Sequence, residues 1–486
     1  METPRRSLKS ARAALSSLLA ADSPLRLIAK EFDRAGKELY LVGGAVRDAL
    51  LERERPEGAE LDFATDAEPE DTRALIQPFA SAVWLQGITY GTVGAEINGV
   101  LMEITTFRTE KYQPSSRHPD VIFEADIETD LSRRDFTVNA IAVRLTDNKM
   151  IDLFNGMGDL DQRLIRTPRD PAESFGDDPL RMLRAFRFAS ELDFRIAGDV
   201  LQAIAEQNEL IKSISAERIR DELSKLLVGG SPGRALRVAE DAGLTQHFLP
   251  ELSSLKLEQD PVHRHKDVFA HTLAVLERAA PRLRLRLAAL LHDIGKPRTR
   301  HIGPEGVSFH HHEVLGARMA ETRLKELRFS SEIVHAVRDM IALHHRFHTY
   351  RLGWTDAAVR RYVRDAGPLL GELNELVRAD CTTRNPDKAR RLAQRMDELE
   401  KRIGELAAQE EIARLRPELD GIQVMAYLGV PPGPIVGRAM SFLLDLRLDE
   451  GVLGADEVYA RLERWAIEQG IEPARERVAP HAKKKK

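Results

Sequence analysis

Two glycines and three carboxylates near the start of this chain are of types and spacings that do chemistry. In "LVGGAVRD", Leu41 to Asp48, an apolar run ends at Gly43 and Gly44, and an amphipathic helical pattern follows. Such a turn leaves backbone N–H groups at the positive end of a helix dipole, where an anion can rest, and Arg47 one turn on could reach it. A lone glycine pair is more often an ordinary strand-to-helix turn. In "AELDFAT" strand alternation puts Glu60 and Asp62 on one face and Leu61 and Phe63 on the other. Carboxylates this close repel unless a cation lies between them. Two of them can hold a pair of magnesium ions, one activating an attacking oxygen and one gripping a triphosphate. By themselves they also fit a solvated strand face. Glu103, in "LMEITTFR" on another predicted strand, supplies a third acid.

A second concentration lies downstream. Nearly all the histidines fall between His263 and His348, in "HKDVFAHTL", "LLHDIGKPRTR", "SFHHHEVLGA" and "IALHHRFH", within helical patterns that read as buried. One doublet such as His292 and Asp293 is usually a core or capping pair. So many imidazoles in buried helices ask for another explanation.

Helical periodicity runs from Ser7 to about Ala35, and "ELYLVGGAVRDALL" reads as strand, tight turn and helix. From Glu60 to about Leu153, short β-branched or aromatic segments such as "LDFAT", "AVWLQG", "TVGAEI", "LMEITTF" and "TVNAIAVRL" alternate with turn residues, the texture of a mixed sheet. Arg108 to Leu131 shows no periodicity and reads as a loop. After "DLFNGMGDL" the pattern is almost wholly helical, interrupted by "GPEGVSF". The fold class expected is α+β: a head with a mixed sheet at 1–160, a helical neck at 161–250, a helical body at 251–400, a helical C-terminal unit at 401–475, and a disordered basic tail at 476–486.

Composition narrows the function classes. At 486 residues the chain suits three or four units. No apolar run approaches the roughly 20 residues that span a bilayer, and the first residues read as an amphipathic helix rather than a targeting peptide. Its single cysteine, Cys381, excludes an internal disulfide and a cysteine-based structural zinc site, which fits a cytoplasmic protein. The net charge of -5 gives no overall basic field, so any nucleic-acid contact must come from local patches.

In order and spacing, GGxVRD, the carboxylate pair leading into "DFATDA", "EITTFR", "RRDFTVNA", "DLFNGMGDL" and "DDPLRMLRAFRFA" resemble the motifs of the class II tRNA nucleotidyltransferases, members with bacterial poly(A) polymerase of the DNA polymerase β-like group. The resemblance covers about the first 250 residues. It implies template-independent addition of C, C and A to a tRNA 3′ end from CTP and ATP, with Mg2+ and catalytic Glu60, Asp62 and Glu103. It also implies nucleotide binding by Gly43, Gly44, Arg47, Arg133, Arg134, Asp135, Asn139, Asp178, Arg181, Arg184 and Arg187. The chemistry agrees: Asp135 can accept from ribose hydroxyls while Arg133 or Arg134 neutralises phosphate, although an Arg-Arg-Asp run alone is more often a surface salt-bridge cluster. Asp178 could be only the N-cap before Pro179. Yet Asp178 and Arg181, three apart, can share a helix face, where the carboxylate accepts from the amino group of C or A and the guanidinium donates to ring acceptors. By the same analogy "DLFNGMGDL" is a spring that resizes the pocket. The chain departs from the family at Glu60, where the first acid of the pair is normally Asp.

The histidine-rich segment with Asp380 resembles the HD phosphohydrolase domain. Carried over by motif, His271, His292, Asp293 and Asp380 would hold a divalent metal, with His312 and either His344 or His345, preferably His345, as auxiliary ligands. Imidazole with carboxylate suits Mn2+, Ni2+, Mg2+ or Fe2+. The metal would activate water against a phosphate ester, such as a cyclic or terminal phosphate on an RNA end. The basic run "RNPDKARRLAQR" fits a solvated helix face or tRNA contact equally. Three rival functions remain: a poly(A) polymerase, a phosphohydrolase whose inactive head only grips RNA, and a silent RNA-binding protein.

Overall fold

The computed structural model describes residues 23–55, 58–111, 120–122, 126–256, 267–303, 306–347, 354–382, 385–410 and 416–479. It divides into two compact units, Met1–Ser253 with Glu326–Arg328, and Ser254–Lys325 with Phe329–Lys486.

The first unit is built on a mixed sheet. Its strands are β1 (Leu39–Val42), β2 (Leu61–Thr65), β3 (Ala82–Trp84), β4 (Thr92–Ile97) and β5 (Val100–Thr106), then, after a separate pair β6 (Thr109–Lys111) and β7 (Asp120–Ile122), β8 (Ala142–Arg144) and β9 (Met150–Ile151). The spatial order is β3-β4-β5-β2-β1-β8-β9. Only β2 and β5 pair in parallel within it; the other neighbours are antiparallel. β1 is buried along its whole length and reads as an unbroken apolar run, as a strand covered on both faces must. β2 is buried except at Asp62, so one charged residue interrupts an otherwise buried central strand. The sheet's centre, rather than its edge, therefore carries the acids.

The helical expectation for Ser7–Ala35 is met by a helix at Pro24–Arg34, with Ser23 capping its start and Ile28 and Phe32 fully buried; its first part lies outside the described residues. The loop expected over Arg108–Leu131 is corrected. It contains the β6–β7 pair and a short helix, Ile127–Ser132, whose N-cap Asp126 accepts from Thr129 N at 2.8 Å. Elements of three to six residues are too short to print a period. Beyond the sheet, the Leu180–Leu192 helix buries Leu183, Phe186 and Phe188, each side chain worth about 1.5–3 kcal/mol when fully removed from water. It packs against the helices Ala216–Val228 and Pro232–Asp241.

In the second unit the Leu283–Leu291 helix is buried on nearly every side, as the middle helix of a bundle should be. It packs against Val268–Arg278, Ser331–His344 and Leu370–Asp380. Of the "GPEGVSF" interruption, Gly303 and Gly306–Phe309 belong to an antiparallel pair of strands, Arg300–Gly303 with Gly306–Phe309. The helices Gly421–Leu428, Pro434–Glu450 and Ala455–Glu468 gather a further apolar cluster around Val424, Leu443 and Leu462. Of the basic tail, residues 480–486 lie outside the described residues. Among the described residues no helix is long and apolar enough to cross a membrane.

Candidate active site and candidate metal centre

Parallel pairing of β2 with β5 sets Asp62 directly beside Glu103. Glu60 stands just before β2 and is exposed. All three carboxyls are pushed above their ordinary range: Asp62, open to the cavity but shielded from bulk water by the protein around it, by desolvation, against the opposing pull of Arg134, Arg55 and Arg47; Glu103 by desolvation and then by Glu60 and Asp62; Glu60 by partial desolvation and then by Asp62. The charges of Glu60 and Asp62 on Glu103, and of Asp62 on Glu60, fit a cation site.

The two glycines differ. Gly43 has φ +72°, and a Cβ there would meet Asp62 Oδ2 at 3.2 Å and Arg134 Nη1 at 3.4 Å. A Cβ on Gly44 would meet nothing nearer than Arg47 Nη2 at 3.6 Å. Arg47 turns inward instead of toward an anion: it is 8% exposed, pairs with Asp48 at 2.8 Å and donates from Nη1 to Asn139 Oδ1 at 2.8 Å.

That bond begins a chain beneath a cavity of ≈ 320 Å³ lined by Asp62, Thr105, Arg108, Asp130, Arg133, Arg134, Asp135, Asp178, Arg181 and Arg184. Asn139 Nδ2 donates to Asp135 Oδ1 at 2.9 Å, and Arg184 Nε donates to Asp135 Oδ2 at 3.0 Å. Burial opposes the charge on Asp135, but Arg184 and Asn139 outweigh it and hold the carboxyl well below the usual range. Arg187 stacks on Phe188, 3.9 Å from guanidinium to ring centroid, and pairs with buried Glu222 at 3.1 Å. Arg134 pairs with Asp130 at 3.1 Å, and Arg133 Nη1 donates to Arg108 O at 3.0 Å. Five arginines over a floor of aspartates suit a polyphosphate.

Asp178 and Arg181 both line the cavity without bonding each other. Asp178 Oδ1 accepts from Leu180 N at 3.2 Å, so the capping geometry is present, and its carboxylate also pairs with Arg218 at 3.1 Å. Arg181 donates to Ser174 Oγ at 2.8 Å and to Arg133 O. Arg218, Arg108 and Thr105 were not among the sequence-derived residues. Arg108 stands in the quoted "EITTFR", whereas nothing local marks Arg218, 40 positions from its partner. The segment "DLFNGMGDL" is closed on itself at one end and anchored at the other: Asp152 accepts from Gly156 N at 2.6 Å and Met157 N at 2.9 Å, and Thr137 Oγ1 donates to Asp159 Oδ2 at 2.6 Å.

In the second unit, ligand atoms of His271, His292 and Asp293 lie within 4.8 Å of one another, as do those of Asp293, His312 and His344. Asp293 is common to both sets. Asp380 Oδ1 lies 2.9 Å from His271 Nε2 and 3.6 Å from His292 Nε2. The Nδ1 atoms of His292, His312 and His344 lie 2.8, 2.9 and 2.6 Å from the carbonyls of Ala289, Phe309 and Ile341. A carbonyl can only accept, so each Nδ1 carries a proton, which leaves Nε2 as the ring atom turned to the centre and the one a cation would engage. His292 Nε2 and Asp293 Oδ1 are buried without a hydrogen-bond partner. Burial pulls the His292 imidazole down, but Asp293 and Asp380 outweigh it and push it up to about 10. Burial and the His292 charge push His344 down to about 3. The cluster thus draws a positive charge to its middle, and this donor set fits a divalent cation. Lys296 Nζ also reaches Asp293 Oδ2, at 2.6 Å. Of the two adjacent histidines, it is His344 that joins the set. His345, the one preferred from sequence, is exposed, with its ring 5.0 Å from that of His312.

Comparison with known proteins follows the same division. Residues 39–166 match the poly A polymerase head domain, 193–256 a probable RNA- and SrmB-binding site of polymerase A, and 268–407 the HD domain. A CCA-adding enzyme of Limosilactobacillus reuteri is 42% identical over 234 residues, 48% of this chain and 56% of that protein. One of Anoxybacillus flavithermus is 43% identical over 226 residues, 46% of this chain and 55% of that protein. The chain thus spans little more than half the length of these relatives. The crystal structure of the Bacillus stearothermophilus CCA-adding enzyme in complex with CTP superposes with a TM-score of 0.68 at 26% identity, covering 92% of this chain and 99% of that one. The Thermotoga maritima CCA-adding enzyme complexed with tRNA shares the fold, with a TM-score of 0.58 at 20% identity, covering 93% of this chain and 98% of that one. Through residues 39–166 the chain is thus similar to the poly A polymerase head-domain family, and through residues 268–407 to the HD domain.

Proposed function

We propose that this chain is a cytoplasmic tRNA nucleotidyltransferase that adds C, C and A to the tRNA 3′ end from CTP and ATP, releasing pyrophosphate. The observation that carries the reading is the placement of Asp62 beside Glu103 on paired central strands, under Gly43 and open to a cavity with five arginines. Glu60, Asp62 and Glu103 are the residues to hold Mg2+, which when bound supplies Lewis-acid activation of the 3′ hydroxyl and charge neutralisation of the triphosphate. Arg133, Arg134 and Arg184 line the nucleotide's path. Asp135 is fixed as an anion by Arg184 and Asn139, able to accept from ribose. Asp178 and Arg181 read the base edge, the carboxylate favouring the amino groups of C and A over the carbonyls of U and G. Residues 1–160 form the catalytic head, 161–250 the base-reading neck, 251–400 the HD body and 401–475 a further helical unit.

Incubation with tRNA lacking its CCA end and each labelled nucleotide in turn tests this. CTP incorporation followed by a single A supports it, whereas long A tails without use of CTP would identify a poly(A) polymerase.

A second activity is favoured by the gathering of buried His292 Nε2 and Asp293 Oδ1, neither of which makes a hydrogen bond, with His271, His312, His344 and Asp380. We assign His271, His292, Asp293, His312, His344 and Asp380 to a divalent metal, Mn2+, Ni2+, Mg2+ or Fe2+, which when bound supplies an activated water for phosphate-ester hydrolysis. Metal content and phosphate release from an RNA 2′,3′-cyclic phosphate test it; a metal-loaded chain that releases none would end this second reading.

A further inference from the structure

We infer that Arg218 is a positioning residue for base selection, holding the Asp178 carboxylate in the orientation in which it reads the incoming base. The assignment rests on the nucleotidyl-transfer reading above. Asp178 sits where the Pro171–Asp177 helix ends and the Leu180–Leu192 helix is about to begin, with ψ at 99°, outside the helical range. Nothing in its own segment fixes the carboxylate except Leu180 N, at 3.2 Å from Oδ1. The residue expected to accompany it, Arg181, is committed elsewhere, to Ser174 and to the Arg133 carbonyl. Arg218 supplies the missing constraint: its Nη2 lies 3.3 Å from Oδ1 and 3.1 Å from Oδ2.

Arg218 comes from the Ala216–Val228 helix, within the stretch that matches the probable RNA-binding site. Four residues on, and so on the same helix face, Glu222 is 4% exposed and pairs with Arg187 at 3.1 Å and with Arg184 at 3.5 Å. Arg184 in turn holds Asp135. One face of one helix therefore sets two of the cavity's four acids, Asp178 directly and Asp135 through Arg184. Buried Glu222 anchors the helix, and the more exposed Arg218 aims the carboxylate. A fixed carboxylate can only accept, which favours the amino groups of C and A and repels the carbonyls of U and G. A carboxylate free to rotate away loses that repulsion first. Wrong bases should therefore gain before right ones are lost.

The test measures kcat/KM for CTP and for UTP on tRNA lacking CCA, with the full chain, Arg218→Ala and Arg218→Lys. Arg218→Ala should lower the CTP-over-UTP ratio by roughly tenfold, mainly by raising UTP use, and Arg218→Lys, which keeps a cation in reach, should recover part of it. Thermal unfolding of each variant separates misfolding from misreading. A folded Arg218→Ala with an unchanged ratio, or with CTP and UTP use falling in parallel, would overturn the assignment. So would a ratio that moves equally in Arg218→Lys and Arg218→Ala. If the unmodified chain incorporates no CTP at all, the nucleotidyl-transfer reading fails and takes the assignment with it.

Discussion

Replacing Gly43 by alanine probes the tightest point of the head, and its neighbour Gly44 provides the control. Gly43 has φ +72° and ψ -139°, a conformation that residues with a Cβ occupy at a cost of about 1–3 kcal/mol. At roughly 2–4 °C per kcal/mol for a unit of about 250 residues, the melting temperature should fall by roughly 2–12 °C. The new Cβ would also stand 3.2 Å from Asp62 Oδ2, so that carboxylate must retreat by a few tenths of an ångström. Because a misplacement of about 1 Å costs on the order of a hundredfold in rate, a shift of this size should cut CTP incorporation roughly three- to tenfold beyond any loss of folded protein. Gly44→Ala meets only Arg47 Nη2 at 3.6 Å, lies at the first helical position and needs no positive φ. It should be neutral or slightly stabilising. Calorimetry and labelled-CTP incorporation on both variants decide the matter. Equal effects of the two substitutions on stability and on rate would refute the reasoning that a Cβ is tolerated at Gly44 but not at Gly43 beside Asp62.

Glu103→Gln should abolish CTP incorporation yet raise the melting temperature at pH 7 without divalent cations. Its carboxyl is raised in the folded chain by burial, Glu60 and Asp62, so its ionised form costs stability above the folded pKa and the cost disappears as pH falls through that value; a lower melting temperature in the variant would contradict this. Asp135 is the opposite case, held low by Arg184 and Asn139, so its contribution is present above the ordinary carboxylate range near pH 4 and lost as pH falls through its folded pKa. Asp135→Asn should therefore be less stable than the unmodified chain at pH 7, with the gap closing in acid; a gap that does not change with pH counts against the network. In the second unit, His344→Ala should weaken metal retention by about tenfold or more while His345→Ala leaves it near normal, read as metal content after dialysis; equal losses would put His345 in the set.

The residue types of the head were legible because each broke a local pattern. Asp62 interrupts a buried strand, and Glu103 interrupts an apolar alternation. Their register was not legible, since parallel pairing of β2 with β5 joins positions 41 residues apart and is fixed by the whole sheet. Nor does sequence separate Gly43 from Gly44; only backbone geometry does. Arg47 was expected at an anion because helical spacing gives a reach but not a rotamer, and Asn139 captures it from a distant turn. Asp178 and Arg181 were placed together by the three-residue rule, which says nothing of the competing partners Arg218 and Ser174. The choice between His344 and His345 was available: Val334, Val337 and Ile341 mark the buried phase of their helix, and His344 continues it. The short β6–β7 pair and the helix at Ile127–Ser132 left no period to find.

The most direct test of the central claim is the 3′-end sequence of tRNA lacking CCA after incubation with this chain, Mg2+, CTP and ATP. The account predicts ends extended by C, C and A and no further, with CTP alone giving two C residues, and no extension by Asp62→Ala. Unextended tRNA with the folded, unmodified chain, or extension that persists in Asp62→Ala, would contradict it.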